Sequence, residues 1–274
     1  MSGNSPLQIS DWFLATMGTK QFLYYEDRIP RDSAVLVVSN HRSFMDAPLL
    51  MRAVQRPIRF ACHHYMGQVP VMREIVTGQL GCFPLETPQY RQQSFFTQAI
   101  ELLQHRQVVG VFPEGTKPMV QFSQPCQMQK FQRGFAHLAI RAAGGGEIHK
   151  PVRDLAVLPM AIASLEEVNT SAVPLRLLSV FDPSEPLFDR AGWHPLVIYR
   201  RVALLIGRPL WITPQQVKQY QGKQAKAVVS ELTDRCETEI KSQKSEVRSQ
   251  KLFFSLSPLS SPSSLLPASP LKCQ

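Results

Sequence analysis

Short apolar runs alternate with helical patterns along most of this chain, and this alternation constrains the fold more than any other feature. The candidate strands lie near residues 33–39, 57–62, 79–85, 107–112, 154–163, 175–181 and 196–206. One helical pattern opens at Thr87-Pro88 and runs to about His105, and a second covers residues 129–143. Such alternation is typical of α/β proteins. We therefore predict an α/β fold: a single sandwich domain with a mixed, largely parallel sheet flanked by helices, plus a disordered C-terminal tail.

The chain divides into four segments by composition. Residues 1–28 are predicted to form an N-terminal amphipathic helical segment, and residues 29–212 the α/β domain. The aromatic content of the first segment suits either a helix lying on a membrane or a helix packed on the core. Residues 213–250 have the pattern of a charged helix. In the tail, 251–274, Ser or Pro fills 11 of the 16 positions from 255 to 270, which predicts disorder.

The charge balance favours an anionic partner. Thirty Lys and Arg residues against 21 Asp and Glu give a net charge of +9. This excess suits a phosphate group, an anionic membrane surface or an acidic carrier protein. Nucleic acid is not a predicted partner, because zinc-finger spacing, a basic helix and an aromatic single-strand motif are all missing from the sequence. The five cysteines are odd in number and form no CxxC pair, which predicts reduced thiols and no metal site.

The sequence also predicts how the protein meets a membrane. Its first eleven residues have neither a basic region nor a long apolar region, so no signal peptide is expected. No stretch reaches the roughly 18 apolar residues that a membrane-spanning helix needs. We therefore expect a peripheral protein at the cytoplasmic face of a membrane, with no transmembrane helix.

Two polar clusters follow buried apolar runs at the predicted carboxyl ends of strands. The heptapeptide Asn40-His41-Arg42-Ser43-Phe44-Met45-Asp46 follows the run Ala34–Val38, and Phe112–Lys117 follows Val108–Val111. In open α/β sheets, ligands bind at these strand ends. His41 and Asp46 can meet if His41 lies on the loop and Asp46 in the first helical turn. The carboxylate would then orient an imidazole that deprotonates a hydroxyl group.

The second cluster offers groups for a phosphate-bearing substrate. Gly115 lets the backbone approach a ligand closely, while Glu114 and Thr116 add an acceptor and a hydroxyl group. Cationic groups suited to a phosphate follow in the sequence at Lys117, Lys130 and Arg133.

Together the two clusters resemble the NHxxxxD and FPEGT boxes of the PlsC-like glycerolipid acyltransferases, which include the 1-acylglycerol-3-phosphate acyltransferases. The boxes are separated by about 70 residues, similar to the family's spacing. Val157–Ala161 looks like the family's fourth motif, and Phe131–Phe135 resembles its basic segment.

The resemblance implies a role for each matching residue. His41 would be the general base and Asp46 its orienting carboxylate. The acceptor oxygen would attack the thioester of acyl-CoA or an acyl carrier protein, with no acyl-enzyme, metal or other cofactor. The residues expected to bind substrate are Asn40, Ser43, Arg91, Glu114, Gly115, Thr116, Lys117, Lys130 and Arg133.

One departure from the family pattern concerns the acceptor. The arginine that commonly ends the second motif is replaced by Thr87, and Lys117 stands where an arginine is common in the FPEGT box. Arg91 is a candidate to compensate. The implied function is acylation of a lysophosphatidic acid-type lipid in phospholipid biosynthesis. The alternatives are the same chemistry on another lysolipid, alcohol or amine, and a catalytically silent membrane-binding relative.

Overall fold

The computed structural model describes residues 5–62, 73–86, 89–115, 127–145, 150–174 and 193–256. The helices are α1 (Pro6–Thr16), α2 (Asp46–Val54), α3 (Arg91–Gln104), α4 (Gly134–Gly144), α5 (Pro214–Gln221) and α6 (Ala225–Leu256), with a 3-10 helix at Glu26–Arg28 and a π-helix at Arg73–Gln79. The strands are β1 (Lys20–Tyr24), β2 (Ala34–Ser39), β3 (Ile58–Cys62), β4 (Phe83–Pro84), β5 (Val108–Val111), β6 (Leu155–Pro174), β7 (Trp193–Ile206) and β8 (Leu210–Trp211).

Within the described residues the strands form one eight-stranded sheet in the order β1-β7-β6-β2-β5-β3-β4, with β8 also paired to β6. Strands β6, β2, β5, β3 and β4 are mutually parallel. Strands β7 and β8 run antiparallel to β6, and β1 is parallel to β7. The predicted α/β class with a mixed, largely parallel sheet is therefore confirmed.

The central strand β2 is buried on both faces. Leu36 and Val38 pack into one core together with residues of α3, α4 and α6, whereas Val35 and Val37 pack into the other with residues of α1 and α2. All six residues of β2 are buried. Helices on both faces explain why this strand reads as a continuous apolar run instead of an alternating one.

Strands β6 and β7 continue far past the end of β2. Ser39, the last residue of β2, pairs with Met160, but β6 runs on to Pro174 in antiparallel pairing with β7. We call this projecting part of the two strands, residues 161–174 and 193–205, the arm. Strand β1 pairs with its outer edge. The arm therefore rises beside the carboxyl ends of β2 and β5, where the two polar clusters begin.

Two helical expectations are wrong in extent. The helical segment predicted over residues 1–28 is a helix only from Pro6 to Thr16, because Gly18 has a φ of +65° and turns the chain into β1. The N-terminal segment thus supplies an edge strand as well as a helix. The second predicted helix, 129–143, begins only at Gly134, since the backbone N–H groups of Gln129 and Phe131 bond to glutamate carboxylates instead.

The C-terminal region also departs from prediction. The single charged helix expected over 213–250 is two helices, divided by a turn at Gly222, and α6 continues six residues into the predicted tail. The predicted strand at 175–181 and the rest of the tail, 257–274, lie outside the described residues. Among the helices that the structure describes, none is both long and apolar enough to cross a membrane.

Candidate active site

The loop between β2 and α2 brings His41 and Asp46 into contact. Nδ1 of His41 lies 2.9 Å from Oδ2 of Asp46, the first residue of α2. The same carboxylate oxygen accepts the backbone N–H groups of Arg42 at 2.7 Å and Ser43 at 2.8 Å. Asp46 is fully buried, and the His41 side chain is 17% exposed. With the proton on Nδ1, the carboxylate fixes the ring and Nε2 is the basic nitrogen.

Two phenylalanine rings stack in series on one face of the His41 ring. Phe112, the first residue of the second cluster, stacks on His41 with ring centres 3.9 Å apart and planes 10° apart. Phe60 on β3 stacks on Phe112 in turn at 4.9 Å. Neither phenylalanine was assigned a role from the sequence, because Phe112 lies inside the FPEGT box without a polar group and Phe60 lies in a strand pattern. The stack therefore fixes the plane of the His41 ring, and the Asp46 carboxylate fixes its rotation within that plane.

Glu114 joins the two clusters. One of its carboxylate oxygens accepts the His41 backbone N–H at 3.1 Å, and the other accepts the Gln129 N–H. Burial raises the pKa of Glu114, while the two backbone bonds and the nearby Lys244 charge oppose part of that rise. Its carboxylate is thus turned toward the protein backbone. Predicted as part of the acceptor site, Glu114 holds the His41 loop against the 127–132 segment.

Asn40 and Ser43, also predicted to contact substrate, anchor the loop to the arm. The Asn40 side chain donates to the Ile162 carbonyl at 3.0 Å and accepts the Ile162 N–H at 2.9 Å. Ser43 Oγ donates to the Val197 carbonyl at 2.6 Å. Because β2 has ended at this level, the backbone of the arm needs such side-chain partners. Both residues are buried.

The cationic residues are not all brought to the same place. Lys130 and Arg133 are exposed on a segment held against the second cluster by the Gln132 N–H, which donates to the Pro113 carbonyl at 2.9 Å. Arg91 begins α3 just after β4, three strands from β2 in the sheet order. Nothing among the described contacts joins it to His41.

The turn at Gly115 lies beside this basic segment. Gly115 has a φ of +72°, and a side-chain carbon there would lie 3.2 Å from Gln132 Nε2. A residue other than glycine would therefore strain the turn and crowd the segment that carries Lys130 and Arg133. Thr116, Lys117 and Thr87 fall outside the described residues.

The chain is similar in sequence to known proteins. A model of the Acyltransferase family matches residues 22–163, which contain both clusters. Uncharacterized proteins from Mycobacterium bovis and Mycobacterium tuberculosis are 27% identical over 181 residues, or 61% of this chain and 45% of theirs. The chain thus spans about half the length of these curated relatives.

The fold also matches a solved structure. The 1-acyl-sn-glycerophosphate (LPA) acyltransferase PlsC from Thermotoga maritima matches with a TM-score of 0.56 and 18% identity, covering 89% of this chain and 78% of that chain. At this identity the match shows a shared fold.

Proposed function

We propose that this chain, which belongs to the acyltransferase family, transfers a fatty acyl group from acyl-CoA or an acyl carrier protein to the hydroxyl group of a lysophosphatidic acid-type lipid. The observation that carries the proposal is the 2.9 Å contact between His41 Nδ1 and the buried Asp46 carboxylate. This contact leaves Nε2 as a base at the carboxyl edge of the sheet.

The proposed chemistry needs no group beyond the two substrates and the dyad. Nε2 of His41 takes the proton of the acceptor hydroxyl as the oxygen bonds to the thioester carbonyl carbon. The tetrahedral intermediate then expels the thiolate, which takes the proton from the imidazolium. The products are an ester and a free thiol. Asp46 stabilises the positive charge that His41 carries between these steps.

The basic segment supports a phosphate-bearing acceptor. Lys130 and Arg133 are exposed, and Gln132 between them fixes the segment beside Pro113 and Gly115. Two cations bordering the turn that follows β5 would favour a phosphate over a neutral headgroup. We include acceptor selection by these two residues in the proposal.

Exposed aromatic side chains support peripheral attachment to a membrane, on its cytoplasmic face, as part of the same proposal. Trp12 on α1 is 71% exposed and Phe44 in the His41 loop is 38% exposed. Phe13 bridges the two regions, with its ring centre 5.8 Å from that of Phe44. Aromatic rings of this kind favour the membrane interface. A lipid acceptor would then reach the loop from the bilayer.

Acyl transfer with purified protein tests the function. Labelled acyl-CoA and lysophosphatidic acid should give phosphatidic acid, and His41→Ala should abolish it. His105→Ala, which removes an exposed histidine on the surface, should keep wild-type activity. Retained activity in His41→Ala would refute the proposal. Absence of product from every acceptor would favour the silent membrane-binding relative.

An acceptor panel tests the headgroup. The wild type should prefer lysophosphatidic acid to a monoacylglycerol, a zwitterionic lysolipid and a long-chain amine. Lys130→Ala with Arg133→Ala should raise KM for the phosphate acceptor by roughly tenfold or more, since charged hydrogen bonds contribute about 1.5–3 kcal/mol. The control is exposed Lys226→Ala. Preference for a neutral acceptor would exclude the phosphate-acceptor assignment.

Sedimentation with vesicles tests the membrane contact. The wild type should bind vesicles that contain anionic lipid, and Trp12→Ala should bind less. Tyr90→Ala is the control. Tyr90 is also an exposed aromatic residue, at 60% exposure, but it lies at the start of α3 and is not part of the surface proposed to contact the membrane. Equal binding by both variants would contradict the proposed surface.

A further inference from the structure

A buried ion pair lies directly behind the dyad. The two terminal nitrogens of Arg42 donate to the two carboxylate oxygens of Glu167 at 2.9 and 3.1 Å. The side chains are only 4% and 8% exposed. Replacing such a pair by apolar residues is often neutral or stabilising, because desolvation offsets the attraction. Fold stability alone therefore gives little reason to keep it here.

The arm is shaped to present Glu167 to Arg42. Between Ser164 and Glu167 the pairing of β6 with β7 shifts twice, as it does at β-bulges, which commonly re-aim a side chain beside an active site. Burial opposes the charge on Glu167, but the bonds from Arg42, Ser164 and Asn169 outweigh it and lower its pKa. Glu167 thus stays ionised opposite the guanidinium.

Arg42 has a second anion within reach of its charge. Asp46 attracts the guanidinium electrostatically. The Asp46 carboxylate is fully buried. The buried Tyr199 phenol is a hydrogen-bond partner of the Asp46 side chain and is neutral, since burial first and the Asp46 charge second hold its pKa well above the usual value. Arg42 is thus a permanent cation whose charge can compete with His41 for Asp46.

We infer that Glu167 is a positioning residue, which holds the Arg42 guanidinium away from Asp46 so that the aspartate charge serves His41. Without Glu167, Arg42 would turn toward the Asp46 carboxylate and neutralise the charge that stabilises the imidazolium. This inference rests on the proposed acyl transfer for its kinetic test, and on the His41–Asp46 contact alone for its spectroscopic one.

Glu167→Gln keeps the size of the side chain and removes its charge. We expect kcat to fall roughly 10- to 100-fold, the scale on which a misplaced catalytic group acts, with KM changed less than about twofold. The double variant Arg42→Gln with Glu167→Gln removes the competing cation and should recover most of that loss. Glu166→Gln is the matched control, because Glu166 is the adjacent, exposed carboxylate.

The His41 Nδ1–H resonance gives a readout that needs no turnover. In ¹H–¹⁵N spectra it should shift in Glu167→Gln, return toward the wild-type position in the double variant and stay unmoved in Glu166→Gln. An unmoved resonance in Glu167→Gln would overturn the inference, even if the chain proved inactive. A double variant as impaired as the single one, with equal melting temperatures, would also overturn it. Activity retained in His41→Ala would instead remove the proposed function and leave the spectra to decide.

Discussion

Asp46→Asn separates the charge of the carboxylate from its shape. Asparagine can place its oxygen where Oδ2 now accepts three N–H groups, from His41, Arg42 and Ser43. The loop bonds would then remain, and the side-chain nitrogen would occupy the position of Oδ1, close to the Tyr199 phenol that hydrogen-bonds to the Asp46 side chain. The change therefore removes mainly the negative charge that faces the imidazolium.

The geometry sets the size of the expected loss. With Nδ1 and Oδ2 2.9 Å apart, the centres of the two charges are about 4 Å apart, where the attraction is about 4 kcal/mol at an effective dielectric constant of about 20. The neutral hydrogen bond that remains recovers about 1 kcal/mol. The net loss of about 3 kcal/mol predicts that kcat falls roughly 10²-fold.

Steady-state kinetics on Asp46→Asn test this value. The effect should fall on kcat and spare KM, because His41 is positively charged only after it has taken the acceptor proton. The control is Asp11→Asn, which removes a 47% exposed carboxylate from a surface pair with Arg52. A fall in kcat of less than about tenfold, in a variant with a wild-type melting curve, would refute charge stabilisation by Asp46 at this magnitude.

Three further changes probe the supports of the site. Ser43→Ala leaves the buried Val197 carbonyl without its 2.6 Å bond and should cost about 1–3 kcal/mol in urea unfolding; an unchanged midpoint would contradict this. Gly110→Ala would place a methyl group in steric clash with the Phe60 ring, so overpacking should cost about 1–3 kcal/mol and kcat should fall as the stack moves; wild-type values for both would refute the clash. Burial raises the pKa of the Cys236 thiol to about 12, so iodoacetamide at pH 8 should alkylate it only after unfolding, as mass spectrometry can show; rapid native labelling would contradict its burial.

The parallel core and the meeting of the two clusters could be predicted from sequence because their signals are local. Each cluster directly follows a four- to five-residue apolar run, and parallel strands bring their carboxyl ends to one edge. The proximity of Glu114 to the His41 loop follows from that arrangement. The direction of the Glu114 side chain does not, because it depends on the Gln129 segment that folds over it.

The arm could not be predicted from the sequence. The surroundings of the His41 loop, which the arm contacts, could therefore not be predicted either. Residues 164–174 alternate only weakly between apolar and polar residues, and they pair with β7 through backbone groups. The family resemblance assigned Asn40 and Ser43 to substrate, and the structure adds that the arm supplies bonding partners for both side chains. Strand β1 was missed for a related reason, because an aromatic-rich run on an edge strand fits helical and strand periods alike.

The five-residue spacing between His41 and Asp46 has a structural cause. Helical periodicity alone does not explain it. A straight helix would place residues five apart roughly 140° from each other, yet His41 and Asp46 touch. They do so because the Asp46 carboxylate reaches back over the loop to the N–H groups of Arg42 and Ser43, four and three residues earlier. His41 is then the next residue along the same turn. The residues between His41 and Asp46 therefore contribute to the contact. Arg42 and Ser43 donate the N–H groups that orient the Asp46 carboxylate, and Ser43 also anchors the turn to the arm. A histidine and an aspartate five apart become a plausible dyad only when the intervening loop can fold in this way.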